Sequence, residues 1–126
     1  MSKKRVVVEG CTLQVVAPAT GRVEITGAPS RHAVDGKGIY RGPLSISVSQ
    51  VVLGTSGTAV AGSAVGTIAP TAITTLDGQA VLRVGDRVDG LVAADAQMPS
   101  SGGPVPSPIT FSVEIVDAGQ QVVEAI

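Results

Sequence analysis

Apolar and polar residues alternate along much of this chain with a period of two. Leu44, Ile46 and Val48 alternate with Ser45, Ser47 and Ser49, and Ile109, Phe111, Val113 and Ile115 alternate with Thr110, Ser112 and Glu114. That period marks strands with one face buried and one face wet. Cys11, Leu13 and Val15 likewise oppose Thr12 and Gln14, and Val23 and Ile25 alternate within Arg22 to Thr26. Arg5 to Val8 reads as a further strand, separated from the Cys11 to Val16 strand by Glu9-Gly10. Val51 to Leu53 continues the serine-faced strand through a bulge. No window carries the spacing of three and four that a long helix needs.

Turn residues cut these strands short. Ala17-Pro18 and Gly21 mark one bend, and Arg41-Gly42-Pro43 another. Asp35-Gly36 and Asp77-Gly78 are dipeptides of tight two-residue hairpin turns, where both central residues need positive φ. Residues 54–66 hold mostly Gly, Thr, Ser, Ala and Val and read as a loop or a weak strand. Residues 96–108 carry Pro99, Pro104, Pro106, Pro108 and the pair Gly102-Gly103, which predicts a long loop with no ladder. Asp117 to Gln120 reads as a turn and Val122-Val123 as a last strand, so 109–126 is expected to form a closing hairpin.

The two Asp-Gly turns belong to a larger likeness. With Asp35 aligned on Asp77, Gly36 meets Gly78, Ile39 meets Val81, Tyr40 meets Leu82 and Arg41 meets Arg83. Ala28-Pro29-Ser30 precedes the first stretch and Ala69-Pro70-Thr71 the second, with one residue slipped between the halves. This predicts one hairpin unit used twice and stacked on itself, with copies at about 27–44 and 68–90. Arg41 and Arg83 then sit at matching hairpin ends, where they pair with nearby carboxylates or carbonyls. Asp35 and Asp77 are expected to cap backbone N–H groups of their own turns.

Composition sharpens the class. The chain has 126 residues, which suits a single domain, 1–126, able to fold without disulfides or metal. It holds one Tyr, one Phe and no Trp, so its core must be built from Val, Ile, Leu and Ala. Sixteen Gly and eight Pro with many β-branched residues predict an all-β fold, a compact stack of short hairpins. A net charge of −1 and scattered basic residues without aromatic neighbours argue against nucleic acid as a partner. Val6-Val7-Val8 after Lys3-Lys4-Arg5 is too short for a signal-peptide core, so no signal peptide is expected and assembly in the cytoplasm follows. One Cys and one His cannot complete a zinc site. No Ser, His and acid fall into a catalytic arrangement, so the chain is expected not to be an enzyme and to have no cofactor.

Leu76 to Asp86, LDGQAVLRVGD, resembles the repeated signature of PAAR-type proteins. Gly78, Ala80, Arg83, Gly85 and Asp86 fall at the matching places. The upstream copy keeps Gly36, Arg41 and Gly42, and Pro43 stands where the closing Asp would be. The resemblance covers about residues 27–90. It implies a small conical tip on the blunt end of a trimeric β-helical spike, one cap per three spike chains. Such spikes belong to contractile injection machines: phage tails, type VI secretion systems and extracellular injection particles. The implied location is a virion tail or a secreted particle. The implied role is to form the membrane-piercing point, with a target membrane and an effector cargo as further partners. The family often holds a tip zinc with three histidines and a cysteine; the present chain lacks that ligand set, so the zinc is not expected here. The motif residues singled out are Asp35, Gly36, Arg41, Asp77, Gly78, Arg83, Gly85 and Asp86. The composition also suits a trimeric capsid decoration protein, or a free-standing β module with a small-ligand pocket.

Overall fold

The computed structural model describes residues 3–53 and 60–126, and no helix occurs among them. The chain opens with β1 (Lys4–Arg5), followed by β2 (Thr12–Val15) and β3 (Ala19–Ile25). A short pair comes next, β4 (Ala33–Val34) and β5 (Lys37–Gly38), then β6 (Leu44–Leu53) and β7 (Gly62–Ile68). A second short pair, β8 (Thr75–Leu76) and β9 (Gln79–Ala80), precedes β10 (Arg87–Ala93). β11 (Gln97–Met98) and β12 (Val105–Pro106) interrupt the path to β13 (Ile109–Asp117). β14 (Glu124–Ala125) is the last strand.

The longer strands form two antiparallel sheets that enclose one core. In the first, β13 lies between β10 and β2; in the second, β6 lies between β3 and β7. The alternation read from the sequence sets which side chains face inward. Leu44, Ile46 and Val48 on β6, and Ile109, Phe111, Val113 and Ile115 on β13, are all buried. Past Val48 the register shifts, and Gln50 takes φ +56°, so Val51 returns to the core despite the broken alternation. One extra residue on a strand has this effect. Each fully buried Val, Leu or Ile contributes about 1.5–3 kcal/mol relative to exposure.

Glycine lets the two sheets meet at their edges. A Cβ on Gly66 would stand 2.5 Å from Cδ2 of Leu91, and one on Gly62 would stand 2.6 Å from Cβ of Ala93. β7 therefore lies against β10 without a ladder between them. At the other seam a Cβ on Gly21 would come within 3.2 Å of Cγ2 of Val15, where β3 runs beside β2.

In the low-complexity stretch the strand reading holds for most of the second half, as β7, while residues 54–59 lie outside the described residues. Two expectations change. The Pro-rich loop does contain a ladder: β11 and β12 pair Gln97 with Pro106 and Met98 with Val105. Two rungs suffice there because Pro106 sits on a marginal pair, where its missing N–H costs little. The closing hairpin does not form. β13 pairs with β10 and β2, and β14 pairs instead with β1, Lys4 opposite Ala125 and Arg5 opposite Glu124. Both flanks of β13 are already taken, so the last strand finds its backbone partners elsewhere.

Candidate functional site

Three of the short pairs, β4–β5, β8–β9 and β1–β14, are joined through the bridges Val8 to Ile39, Arg41 to Val81 and Val6 to Arg83. Asp35 and Gly36 have φ of +51° and +78°, and Asp77 and Gly78 have φ of +53° and +80°. Two residues in the left-handed region match the twist of tight hairpins, and Asp-Gly adopts it at least cost. The two hairpins carry equivalent rungs: Ala33 opposite Gly38 and Val34 opposite Lys37, Thr75 opposite Ala80 and Leu76 opposite Gln79.

The segments that leave these hairpins meet a third, Arg5 to Glu9, in a closed ring of backbone hydrogen bonds. The Val7 amide donates to Leu82 O at 2.9 Å, the Leu82 amide to Tyr40 O at 3.3 Å, and the Tyr40 amide to Val7 O at 3.0 Å. Around each of these residues the neighbours bridge in the same cyclic order: Val8 with Ile39, Arg41 with Val81, Arg83 with Val6. A second tier joins the same three pairs of segments, with donation running the opposite way round. Glu9 N donates to Gly38 O at 3.0 Å, Gly42 N to Ala80 O at 2.7 Å, and Val84 N to Arg5 O at 3.0 Å. The incoming arms are bonded alike within each unit, since Ile39 N donates to His32 O, Val81 N to Thr74 O and Val6 N to Val123 O.

Strand alternation then splits the side chains between two clusters. Val7, Tyr40 and Leu82 enter the main core. Their neighbours Val6 and Val81 join Ala125 in a smaller apolar cluster, flanked by Ile39, Ala72, Leu76 and Val123.

The motif residues hold this ring together. Nη1 of Arg41 donates to Leu76 O at 3.1 Å and lies 2.9 Å from Oδ2 of Asp77. The same oxygen lies 2.9 Å from Nε2 of His32. Asp77 therefore ties one hairpin tip to the base of the other instead of capping its own turn. The hydrogen bond from His32, aided by the charges of His32, Arg41 and Arg31, holds its carboxyl below the usual carboxylate value. Asp35 is exposed at the other tip. Arg83 reaches Ala125 O at 3.4 Å through Nη1 and Oγ1 of Thr71 at 3.1 Å through Nη2. Its buried Nε has no hydrogen-bond partner. Asp86 closes the Arg-Val-Gly-Asp turn: Oδ2 accepts from Arg83 N at 2.9 Å, and Oδ1 accepts from Oγ1 of Thr71. Gly85 turns at φ +95° and donates to Ile115 O at 2.9 Å, fastening the turn to β13.

Residues outside the motif carry as much of the arrangement. Oε1 of Glu9 accepts from Gly38 N at 2.8 Å. Buried Gln120 donates through Nε2 to Val6 O and Val123 O, each at 2.8 Å, and accepts through Oε1 from Val122 N and Val123 N. A lone Gln or Glu near a turn carries no sequence signal for such a role. The segment Arg5 to Glu9 shares only an apolar stretch with the other two and lacks Asp-Gly. Its incoming arm, Val123 to Ala125, stands at the far end of the sequence.

Among the described residues no group of three or more His, Cys, Asp or Glu side chains converges. Cys11 is a free thiol, and burial pushes it up to about 11, so it is protonated at neutral pH. A shallow depression beside β1 and β14 is lined by Lys4, Arg5, Val84, Gly85 and Glu124. Comparison of the chain with protein-family models, curated proteins and solved structures finds no match.

Proposed function

We propose that this chain is a non-enzymatic, PAAR-like cap for a trimeric β-helical spike, with one chain seated on three. The ring carries the reading. Its three segments make the same pairings in the same cyclic order around one centre. A single chain with that order suits a partner whose end repeats three times. In this reading the repeat has three copies: those at about 27–44 and 68–90, and a third split between Arg5–Glu9 and Val123–Ala125. The spike ends in strand edges with unpaired N–H and C=O groups, and short hairpins satisfy such edges by strand addition. The cap forms the conical, membrane-piercing point of a contractile injection machine, within a phage tail or a secreted particle assembled in the cytoplasm.

A tip zinc does not fit the residues present. The chain has one His and one Cys. Nε2 of His32 is engaged with Asp77, and a thiol pushed up to about 11 by burial is a poor ligand. The apex in this proposal rests on packing and hydrogen bonds.

Co-expression with a trimeric spike from the same genome, followed by native mass measurement, tests the reading. The expected mass is three spike chains plus one cap. A self-trimer that ignores the spike would instead support a capsid decoration protein.

A further inference from the structure

The segment from Gln120 to Ile126 crosses the hairpin end as a strap, and it is attached differently from its counterparts. The arms of the other two hairpins are tied together by Asp-Gly turns. No turn joins β14 to β1, whose residues lie at the other end of the sequence. The strap springs from a fixed point. Gly119 donates to Oδ1 of Asp117 at 2.8 Å and accepts from Nζ of Lys37 at 3.0 Å. A Cβ there would stand 2.9 Å from Cys11 N, so this glycine is wedged in place.

Beyond Gly119 the strap is held by polar bonds and little burial. Its holds are the two rungs to β1, the Val6 to Val123 bond, the side chain of Gln120, the bond from Arg83 to Ala125 O, and the bonds from Ile73 N and Thr74 to Ile126 O. Ala125 is its only buried apolar residue, while Val122 is 76% exposed. The floor beneath is better built than the strap. Val6 and Val81 are buried there, Leu76 and Ile39 flank them, and Arg83 holds Ala125 O. Short strands with little apolar burial belong to the low-stability end of a native structure.

We infer that the strap is an exchangeable β-strand, and that residues 120–126 of a second copy of this chain take its place in the cleft. The occupant follows from the fit. The cleft admits a small side chain where Ala125 sits, with carbonyls toward Arg83 and Thr74, and the chain's own segment supplies both. Exchange of an identical element between copies costs little, because each lost contact is remade in trans. This inference does not depend on the spike reading.

The test uses the full chain and a fluorescent peptide with the sequence of residues 119–126. On a Cys11→Ser background, the pair Arg5→Cys and Glu124→Cys, which face each other across β1 and β14, locks the strap when oxidised. Saturable peptide uptake by the unlocked chain is expected, slowed at least tenfold by oxidation and restored by reduction. Gln120→Ala should speed uptake severalfold. In the unmodified chain the Val6 amide should exchange with deuterium at least a hundredfold faster than the Val113 amide. Uptake that ignores the lock, no uptake at all, or a Val6 amide as protected as Val113 would each overturn the inference.

Discussion

The amide of Val7 donates to the carbonyl of Leu82 at 2.9 Å and so joins two segments that lie far apart in the sequence. Both side chains are fully buried in the main core. The ring is therefore not a surface ornament; its backbone bonds sit directly on packed side chains. Replacing Leu82 by Ala should cost about 2–5 kcal/mol, the usual range for a truncated core leucine. Urea denaturation of the variant and the parent measures this. A cost below about 1 kcal/mol would mean that Leu82 does not anchor the ring.

Gly62 and Gly66 face β10, and their replacements should differ. A Cβ on Gly62 meets Cβ of Ala93 at 2.6 Å and Ala96 N at 3.2 Å, neither of which can rotate away. A Cβ on Gly66 meets Cδ2 of Leu91, the end of a flexible side chain. Gly62→Ala should lose about 1–3 kcal/mol through overpacking, and Gly66→Ala clearly less. Thermal unfolding of the two variants gives the order.

Gly78 isolates the cost of backbone conformation. Nothing lies within 4 Å of a Cβ placed there, yet φ is +80°. Gly78→Ala should cost about 1–2 kcal/mol from the left-handed conformation alone. Replacement by Asn, which tolerates that region better, should recover part of the loss.

Asp77 should make the hairpin end sensitive to acid. Its folded carboxyl is held below the ordinary value, first by the hydrogen bond from His32 and then by neighbouring positive charge. A depressed carboxylate contributes stability that is complete above its unfolded value, about 3.9, and is lost as pH falls through the folded value. The Tm gap between the parent and Asp77→Asn should hold steady above pH about 5 and close below pH about 4. A gap that widens on acidification would contradict the contact between Asp77, His32 and Arg41.

Local chemistry by itself determined the all-β class, the inward faces of β6 and β13, and the two Asp-Gly turns. Period-two alternation and the tolerance of Asp-Gly for positive φ are properties of neighbouring residues, so they can be read along the chain. Tertiary structure alone decided which backbones pair. N–H and C=O groups are the same at every residue, so nothing in Arg5 to Glu9 announces Leu82 and Tyr40 as its partners, or β14 as the mate of β1. The same holds for Asp77, which leaves its own turn because His32 and Arg41 arrive from another hairpin, and for Gln120, whose bonds exist only once Val6 is brought beside it. Turn chemistry acts over two residues, whereas closing the ring needs three distant segments in place at once.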